Sequence, residues 1–336
     1  MESRLPSVEL NKTFNHTISD FKFDNLPIEI CREIFKDGRP FSHFIEAWIS
    51  QNYPLTHVKG CKKYDFTDRN NPEILYDEWT VIGNGLSEPV TKNVLTEFVG
   101  STNCPYCPES DALLLSYFDS SHDNFVGTSI TDKWFLINYH TYSPARGDPM
   151  YEFLRGASAE EDFCYVRFEE GSWYTLYGVP TTYTNGLEGA IYPEMASTFM
   201  ATSTPLQLSL DGTTFSGPEV DVQVTITSSK DLSSSDSLRL FIAAIMDNVE
   251  YTGYNGEPLH QDVFLGWINQ GFNGELILVG NEKISKKYNW VFPVNWPQND
   301  FETTWPLVEY DISDLGVVAF IQNIYSKEIL QVAGKN

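Results

Sequence analysis

The last third of the chain alternates apolar with polar residues at the spacing of β-strands. Every second residue is apolar from Val220 to Ile226 and again from Leu206 to Leu210. This period of two is typical of a strand with one buried face. Other short apolar runs, separated by Gly, Asn, Ser or Pro, occur at 238–246, 263–267, 276–279, 317–321 and 329–332. The pattern predicts an antiparallel β-sandwich over residues 205–336.

The middle of the chain, residues 86–204, alternates strand and helix patterns. Residues 94–99 predict a strand, an apolar helix follows around 113–118, and the apolar run 134–139 is typical of a buried central strand. Asp148 followed by a proline predicts a capped helix start, and residues of about 160 to 177 predict a long helix. Such alternation indicates an α/β domain.

Residues 1–85 have weaker patterns. The apolar spacing suits amphipathic helices at 26–35 and 41–49, and the chain after Pro54 is rich in turn residues. We predict a small α+β segment there, of unknown role.

The chain is strongly acidic, with a formal net charge of −24. Residues 1–80 hold 10 Lys and Arg against 13 Asp and Glu, and the remaining residues hold 12 against 33. This change supports a boundary near residue 85. An acidic surface repels phosphate backbones, so we expect no nucleic-acid partner. The sequence has no apolar run of about eighteen residues, so it predicts no transmembrane helix.

Two of the five cysteines form a CxxC motif, Cys104-Pro105-Tyr106-Cys107. The motif follows a predicted strand and loop and opens a predicted helix. Unpaired backbone N–H groups and the helix dipole stabilise a thiolate at that place. Pro105 suits the first helical position because its missing N–H costs nothing there. We assign Cys104 as the attacking nucleophile and Cys107 as the resolving thiol of disulfide exchange.

Other interpretations of the motif stay open. It could be half of a zinc site, with Cys164 and His140 as further ligands, a permanent structural disulfide, or a pair of inert buried thiols. We expect neither a metal nor a cofactor. His140 ends a predicted strand and is a candidate proton shuttle for the thiols, the alternative being a loop histidine bonded to backbone.

A second motif lies downstream, in the sequence Tyr177-Gly178-Val179-Pro180-Thr181 followed by Asn185-Gly186. It resembles the thioredoxin-fold signature, in which a cis proline opens a strand beside the CxxC. The resemblance implies that Val179 and Pro180 form a substrate wall facing Cys104, with Pro105 and Tyr106 as further substrate contacts. The long separation of the two motifs implies an insertion within 140–170.

The order of several short motifs extends this resemblance to about residues 88–335. They are Val94-Leu95-Thr96-Glu97-Phe98, the CxxC, Asn138-Tyr139-His140, Asp148-Pro149-Met150-Tyr151, the proline motif, Phe272-Asn273-Gly274-Glu275 and the run 317–323. The series resembles the bacterial outer-membrane-protein-twenty-eight-related family, whose members are exported proteins with a thioredoxin-like domain and a β-rich tail.

This resemblance implies a cell-envelope or outer-membrane location, although the first residues lack the apolar stretch of a signal peptide. It implies thiol–disulfide exchange with protein or peptide thiols and disulfides. The alternative is a non-catalytic surface binding protein with a structural CxxC disulfide. The oligomeric state is left open.

Residues 1–80 suggest a third hypothesis. They faintly resemble the beginning of a restriction-endonuclease core, which binds magnesium through acidic residues with a lysine two positions after the glutamate. Glu78 is followed by Trp79 and Thr80, so that lysine is missing. We expect at most the remnant of a nuclease here.

Overall fold

The computed structural model describes most of the chain beyond residue 78. The described residues are 62–65, 73–76, 79–155, 163–168, 173–189, 193–233, 235, 237–269, 274–293, 296–297 and 308–335. The chain divides into two compact units, Met1–Val81 and Ile82–Asn336. The helices predicted at 26–35 and 41–49, and Glu78, lie outside the described residues.

The described part is mostly β-structure. Its strands are β1 (Lys62–Asp65), β2 (Glu73–Tyr76), β3 (Thr80–Asn84), β4 (Val90–Thr91), β5 (Val94–Gly100), β6 (Trp134–His140), β7 (Thr181–Thr184), β8 (Leu187–Glu188), β9 (Ser203–Thr204), β10 (Leu206–Ser209), β11 (Thr214–Ser216), β12 (Glu219–Ser228), β13 (Leu238–Met246), β14 (Val249–Glu250), β15 (Leu259–His260), β16 (Val263–Trp267), β17 (Glu275–Leu276), β18 (Glu282–Val291), β19 (Leu315–Asn323) and β20 (Ile329–Lys335).

The helices of the described residues are short. They are α1 (Cys107–Ser116), α2 (Thr128–Thr131), α3 (Pro149–Leu154), α4 (Phe163–Phe168), α5 (Pro193–Met200) and a 3₁₀ turn (Ile312–Asp314). Within the described ranges, no helix is long and apolar enough to cross a membrane. In the first unit, β1 and β2 form an antiparallel pair.

One nine-stranded sheet dominates the second unit. Its order is β20-β19-β13-β16-β6-β5-β7-β8, with β17 added to β13. The strand β5 runs parallel to β6 and antiparallel to β7, and β7 turns back into β8. The turn is Asn185-Gly186, and both residues have positive φ, as the favoured two-residue hairpin turn requires.

The sheet continues from the middle of the chain into its last third. Parallel pairing of β16 with β6 makes this junction, with Val263 opposite Asn138. The strands β13, β19 and β20 then extend the sheet by antiparallel pairing. The regions 86–204 and 205–336 therefore share one sheet, and their division into separate domains stays a prediction.

A second sheet contains β10, β11, β12 and β18 of the last third together with β3. Its order is β10-β12-β18-β3, with β11 beside β12. The strand β12 shows the predicted alternation, because Val220, Val222, Val224 and Ile226 are buried while their neighbours are more exposed.

The two faces of β5 pack into different cores. Leu95 and Val99 belong to a large aromatic-rich cluster that also takes side chains from β13, β16, β19 and β20. Val94 and Phe98 face a smaller cluster with Leu114 of α1 and Ala196 of α5. Because side chains alternate along a strand, every residue of β5 is buried on one face or the other.

A buried ion pair lies inside the larger cluster. Arg167 of α4 donates from Nε to Oε1 of Glu97 on β5 at 2.9 Å, and its Nη2 bonds the same oxygen. Tyr174 donates to the other carboxylate oxygen at 2.6 Å, and Gln322 of β19 donates to Tyr174. The network therefore joins the middle of the chain to its last third.

The predicted long helix over 160–177 is wrong at its C-terminal part. The helix α4 ends at Phe168, and residues 173–177 are not helical. The backbone N–H of Tyr174 donates to the carbonyl of Arg167, and that of Leu176 to Phe168. Trp173 and Tyr174 are buried in the large cluster. Burying these two rings stabilises the fold more than extending the helix would.

Gly186 offers a test of the hairpin between β7 and β8. A Cβ at this residue would collide with the carbonyl oxygen of Lys327, and its φ is +87°. We expect Gly186→Ala to lower the free energy of unfolding by about 2–4 kcal/mol, from backbone strain plus overpacking. Gly217 is the control, because its φ is +59° but nothing lies within 4 Å of its Cβ position. Gly217→Ala should cost only about 1 kcal/mol in urea unfolding; equal losses would contradict the collision.

Candidate functional site

The two cysteines lie in the turn that joins β5 to α1. The backbone N–H of Cys104 donates to the carbonyl of Ser101, and that of Cys107 donates to Cys104. The two residues form a disulfide, and they are 1% and 2% exposed. The predicted strand, loop and helix order around the motif is therefore present, and the pair lies at the C-terminal end of a central strand.

The position predicted for Pro105 is wrong. The helix α1 begins at Cys107 with Tyr106 as its N-cap, and Pro108 occupies the first helical turn. Residues 104–107 instead form a turn closed by the Cys107 N–H bond to Cys104, so Pro105 precedes the helix. Pro105 and Tyr106 are both exposed, Tyr106 to 73%.

Val179 and Pro180 lie at the same edge of the sheet. The bond between them is cis, and Thr181 pairs with Val99, the next-to-last residue of β5. The register thus brings Pro180 to the end of β5 from which the cysteine turn leaves. Val179 packs against the large cluster, and Pro180 is half-buried. Their contact with a substrate stays a prediction.

Asp148 ties the cysteine turn to two other elements. Its Oδ2 accepts the backbone N–H of Thr102 at 2.8 Å and lies 2.8 Å from Nδ1 of His140 at the end of β6. Its Oδ1 accepts the N–H groups of Met150 and Tyr151, so the predicted helix cap is confirmed. Burial alone would raise the pKa of Asp148, but His140 and these bonds lower it.

His140 is buried beside this carboxylate. Its ring also meets the ring of His260 edge to face, with centroids 5.1 Å apart. Burial and the adjacent His140 lower the pKa of His260 to about 4, so His260 is neutral at pH 7. The role of His140 as a proton shuttle stays a prediction, and its Nδ1 is committed to Asp148.

A hairpin from the last third of the chain covers the cysteine turn. We call it the 249–260 hairpin, formed by β14 and β15. Its Asn255 donates from the backbone N–H to the carbonyl of Thr102 at 2.9 Å, and from Nδ2 to Ser101 at 3.3 Å. A Cβ on Gly253 would lie 2.5 Å from Cβ of Thr102, so this approach requires glycine. The sequence did not indicate this contact.

The same hairpin brings a second acid to α1. Asp111, one turn after Cys107 on the helix, is hydrogen-bonded to Glu257 of the hairpin. A bond between two carboxyl groups requires a proton. Burial and the adjacent Glu257 raise the pKa of Asp111 to about 8. Asp111 and Glu257 are 146 positions apart, so no local pattern could reveal the pair.

The structure offers no support for the zinc-site interpretation of the CxxC motif. Among the described residues, no cluster of three His, Cys, Asp or Glu side chains is arranged to hold a metal ion. The side chain of Cys164 lies outside the described residues.

Solved structures with a related fold include HBP35 of Porphyromonas gingivalis, with a TM-score of 0.52 and 16% identity over 73% of this chain and 75% of that one. Protein AGR_C_4864 from Agrobacterium tumefaciens has a TM-score of 0.41 and 11% identity, over 74% and 95%. A domain of the outer membrane lipoprotein Omp28 from Porphyromonas gingivalis has a TM-score of 0.24 and 14% identity, over 39% and 86%. The value for HBP35 indicates a shared fold; the other two lie below that level.

No protein-family model matches the chain. No curated protein matches it either. The resemblance of this chain to known proteins is therefore a resemblance of fold.

The shared proton of Asp111 gives a pH-dependent prediction. The carboxyl titrates near 3.8 when unfolded and near 8 when folded. Between these values the folded state binds one more proton than the unfolded state, so stability falls as pH rises and levels off above pH 8. Asp111→Asn removes this titration. From pH 6.5 to 8.5 the wild type should lose roughly 2 kcal/mol relative to Asp111→Asn, at about 1.4 kcal/mol per pH unit up to the pKa.

Urea unfolding of both proteins at several pH values measures this difference. Glu109→Gln is the control, because Glu109 is an exposed carboxylate on the same helix. Its stability curve should run parallel to that of the wild type. A parallel curve for Asp111→Asn would contradict the shared proton.

Proposed function

We propose that the chain performs thiol–disulfide exchange with Cys104 and Cys107, in a thioredoxin-like arrangement of residues 86–204. The observation that carries this proposal is the position of the pair, with Cys104 in the turn after the central strand β5 and Cys107 at the first residue of α1. The strand order β6-β5-β7-β8, with one parallel and two antiparallel pairings, agrees with that arrangement. The remaining strands of 205–336 form the β-rich part.

The chemistry uses the reduced form of the pair. The Cys104 thiolate attacks one sulfur of a substrate disulfide, and the first substrate thiolate leaves and takes a proton. The Cys107 thiolate then attacks the Cys104 sulfur of the mixed disulfide and releases the second substrate thiol. The protein dithiol has lost two electrons, and the substrate disulfide has gained them. This sequence of steps leaves a Cys104–Cys107 disulfide, which is the form that the pair has in the structure.

Residues around the cysteine turn would hold the turn in place and contact the substrate during this cycle. Asp148 holds the turn through the Thr102 N–H, and the Asn255 bonds hold its other side. Val179 and Pro180 at the neighbouring strand supply the wall for an extended substrate. The partners are protein or peptide thiols and disulfides, and the envelope location is a proposal that rests on the sequence resemblance.

A second candidate function is a non-catalytic binding protein with the CxxC as a static clamp. The burial of both cysteines, 1% and 2% exposed, favours it. A structural disulfide resists reduction, whereas an exchange catalyst cycles between both states. The nuclease remnant of residues 1–80 concerns residues that lie almost entirely outside the described ones.

Serine variants of each cysteine test the exchange proposal. Cys104→Ser should abolish reduction of a peptide disulfide, because the thiol assigned to the first attack is missing. Cys107→Ser should still attack and should accumulate a mixed disulfide, visible by mass spectrometry, because no resolving thiol is present. Cys164→Ser is the control and should turn over like the wild type. Undiminished turnover by Cys104→Ser would refute the assignment, and no turnover by the wild type would favour the clamp.

A further inference from the structure

Three exposed tyrosines stand on the three loops around the disulfide. Tyr106 lies between the cysteines and is 73% exposed. Tyr254 is 87% exposed and lies between Gly253 and Asn255, the residues that contact Thr102. Tyr177 is 88% exposed and directly precedes the Gly178–Pro180 segment. We call these three residues the tyrosine surface.

Exposed aromatic rings of this kind are the usual anchors of protein interfaces. Tyrosine combines a large apolar face with a polar tip and few rotatable bonds, so ordering it on binding costs little entropy. The three loops come from separate parts of the chain and meet where β5 ends. An extended polypeptide that reaches the disulfide would therefore pass over these rings.

Negative charge beside the tyrosine surface favours a polypeptide that carries positive charge. Residues 247–262 contain Asp247, Glu250, Glu257 and Asp262 but no Lys or Arg. The adjoining segment 308–314 adds Glu309, Asp311 and Asp314, again with no Lys or Arg. Glu250 and Glu309 exchange backbone hydrogen bonds of 2.8 and 3.0 Å, so the two segments adjoin. The exposed carboxylates of Glu250, Glu309 and Asp311 form the acidic surface.

This acidic surface reaches the cysteine turn through the 249–260 hairpin. Glu250 is at the base of the hairpin, and Asn255 at its tip bonds Thr102. Asn255 is five positions after Glu250, so the two are at most roughly 16 Å apart at ~3.3 Å per residue. Glu250, Glu309 and Asp311 are exposed. Arg146, whose carbonyl accepts from Asn103, adds one exposed positive charge on the other side of the turn.

We propose that the tyrosine surface and the adjoining acidic segments dock a basic, extended polypeptide across the cysteine pair. The rings supply apolar contact near the disulfide, and the carboxylates attract lysine and arginine side chains in the flanking residues. This inference rests on the proposed exchange function for its purpose, but docking itself requires no chemistry. The carboxylates that would attract the basic polypeptide come from the last third of the chain, so that region would have a direct role at the site.

Peptides without cysteine test docking separately from exchange. We would measure binding of two fluorescent peptides to the oxidised protein by anisotropy, identical except that lysines in one replace glutamates in the other. The lysine peptide should bind at least about tenfold more tightly at low salt. The preference should shrink as NaCl rises from ~0.05 to ~0.5 M, because salt screens exposed charges.

Two variants assign the effect to the surface. Tyr254→Ser should weaken lysine-peptide binding about three- to tenfold, as loss of an interface anchor does. Glu250→Gln combined with Glu309→Gln should remove most of the preference for lysine over glutamate. The matched controls are Tyr325→Ser, a tyrosine 71% exposed on the turn after β19, and Glu219→Gln, an exposed acid on β12. Both controls should bind like the wild type.

Each result decides one of the two proposals. Equal binding of both peptides, no binding, or the same losses in the controls would overturn the docking surface, even if disulfide exchange proceeds. Selective binding that depends on Tyr254 and the two glutamates would support the docking surface, even if peptides with a disulfide are never reduced. In that case the exchange function fails and the docking surface stands.

Discussion

The pairing of β5 on both sides is the constraint on which the candidate site depends. Parallel pairing with β6 brings the end of that strand, His140, next to the end of β5. Antiparallel pairing with β7 brings the start of that strand, and therefore Pro180, to the same edge. The cysteine turn leaves β5 at this edge. Three distant stretches of sequence thus meet because one strand is buried between two neighbours and packs on both faces.

The last third of the chain is part of this arrangement. The strand β16 continues the sheet beside β6, and the segment just before it forms the 249–260 hairpin over the cysteine turn. On the other face of the sheet, Arg167 and Glu97 are fully buried and joined to Gln322 of β19 through Tyr174. Removing one partner of such a buried pair typically costs about 3–5 kcal/mol. The two regions are therefore energetically coupled around the site.

Local sequence patterns predicted the parts whose causes are local. The CxxC after a strand, the Asp148 helix cap and the Asn185-Gly186 turn each depend on a few adjacent residues, and each is present in the structure. The helix starts two residues later than predicted, at Cys107 and not at Pro105, because the chain first forms a hydrogen-bonded turn over 104–107.

Contacts between distant residues could not be predicted in this way. Asp111 and Glu257 meet only because the 249–260 hairpin folds back over α1. The junction of β6 with β16 joins residues 125 positions apart. The alternating strands of the last third indicated buried faces but not which sheet each strand would join. Aromatic burial of Trp173 and Tyr174 likewise overrode the local helix pattern.

We propose that the Cys104–Cys107 disulfide cycles between oxidised and reduced states. The decisive experiment is a redox titration of the folded protein in thiol–disulfide buffers, followed by maleimide labelling and mass spectrometry of this pair. For an exchange catalyst we expect a midpoint of roughly −120 to −270 mV. A pair that stays oxidised below about −300 mV would contradict exchange and identify the disulfide as a structural clamp.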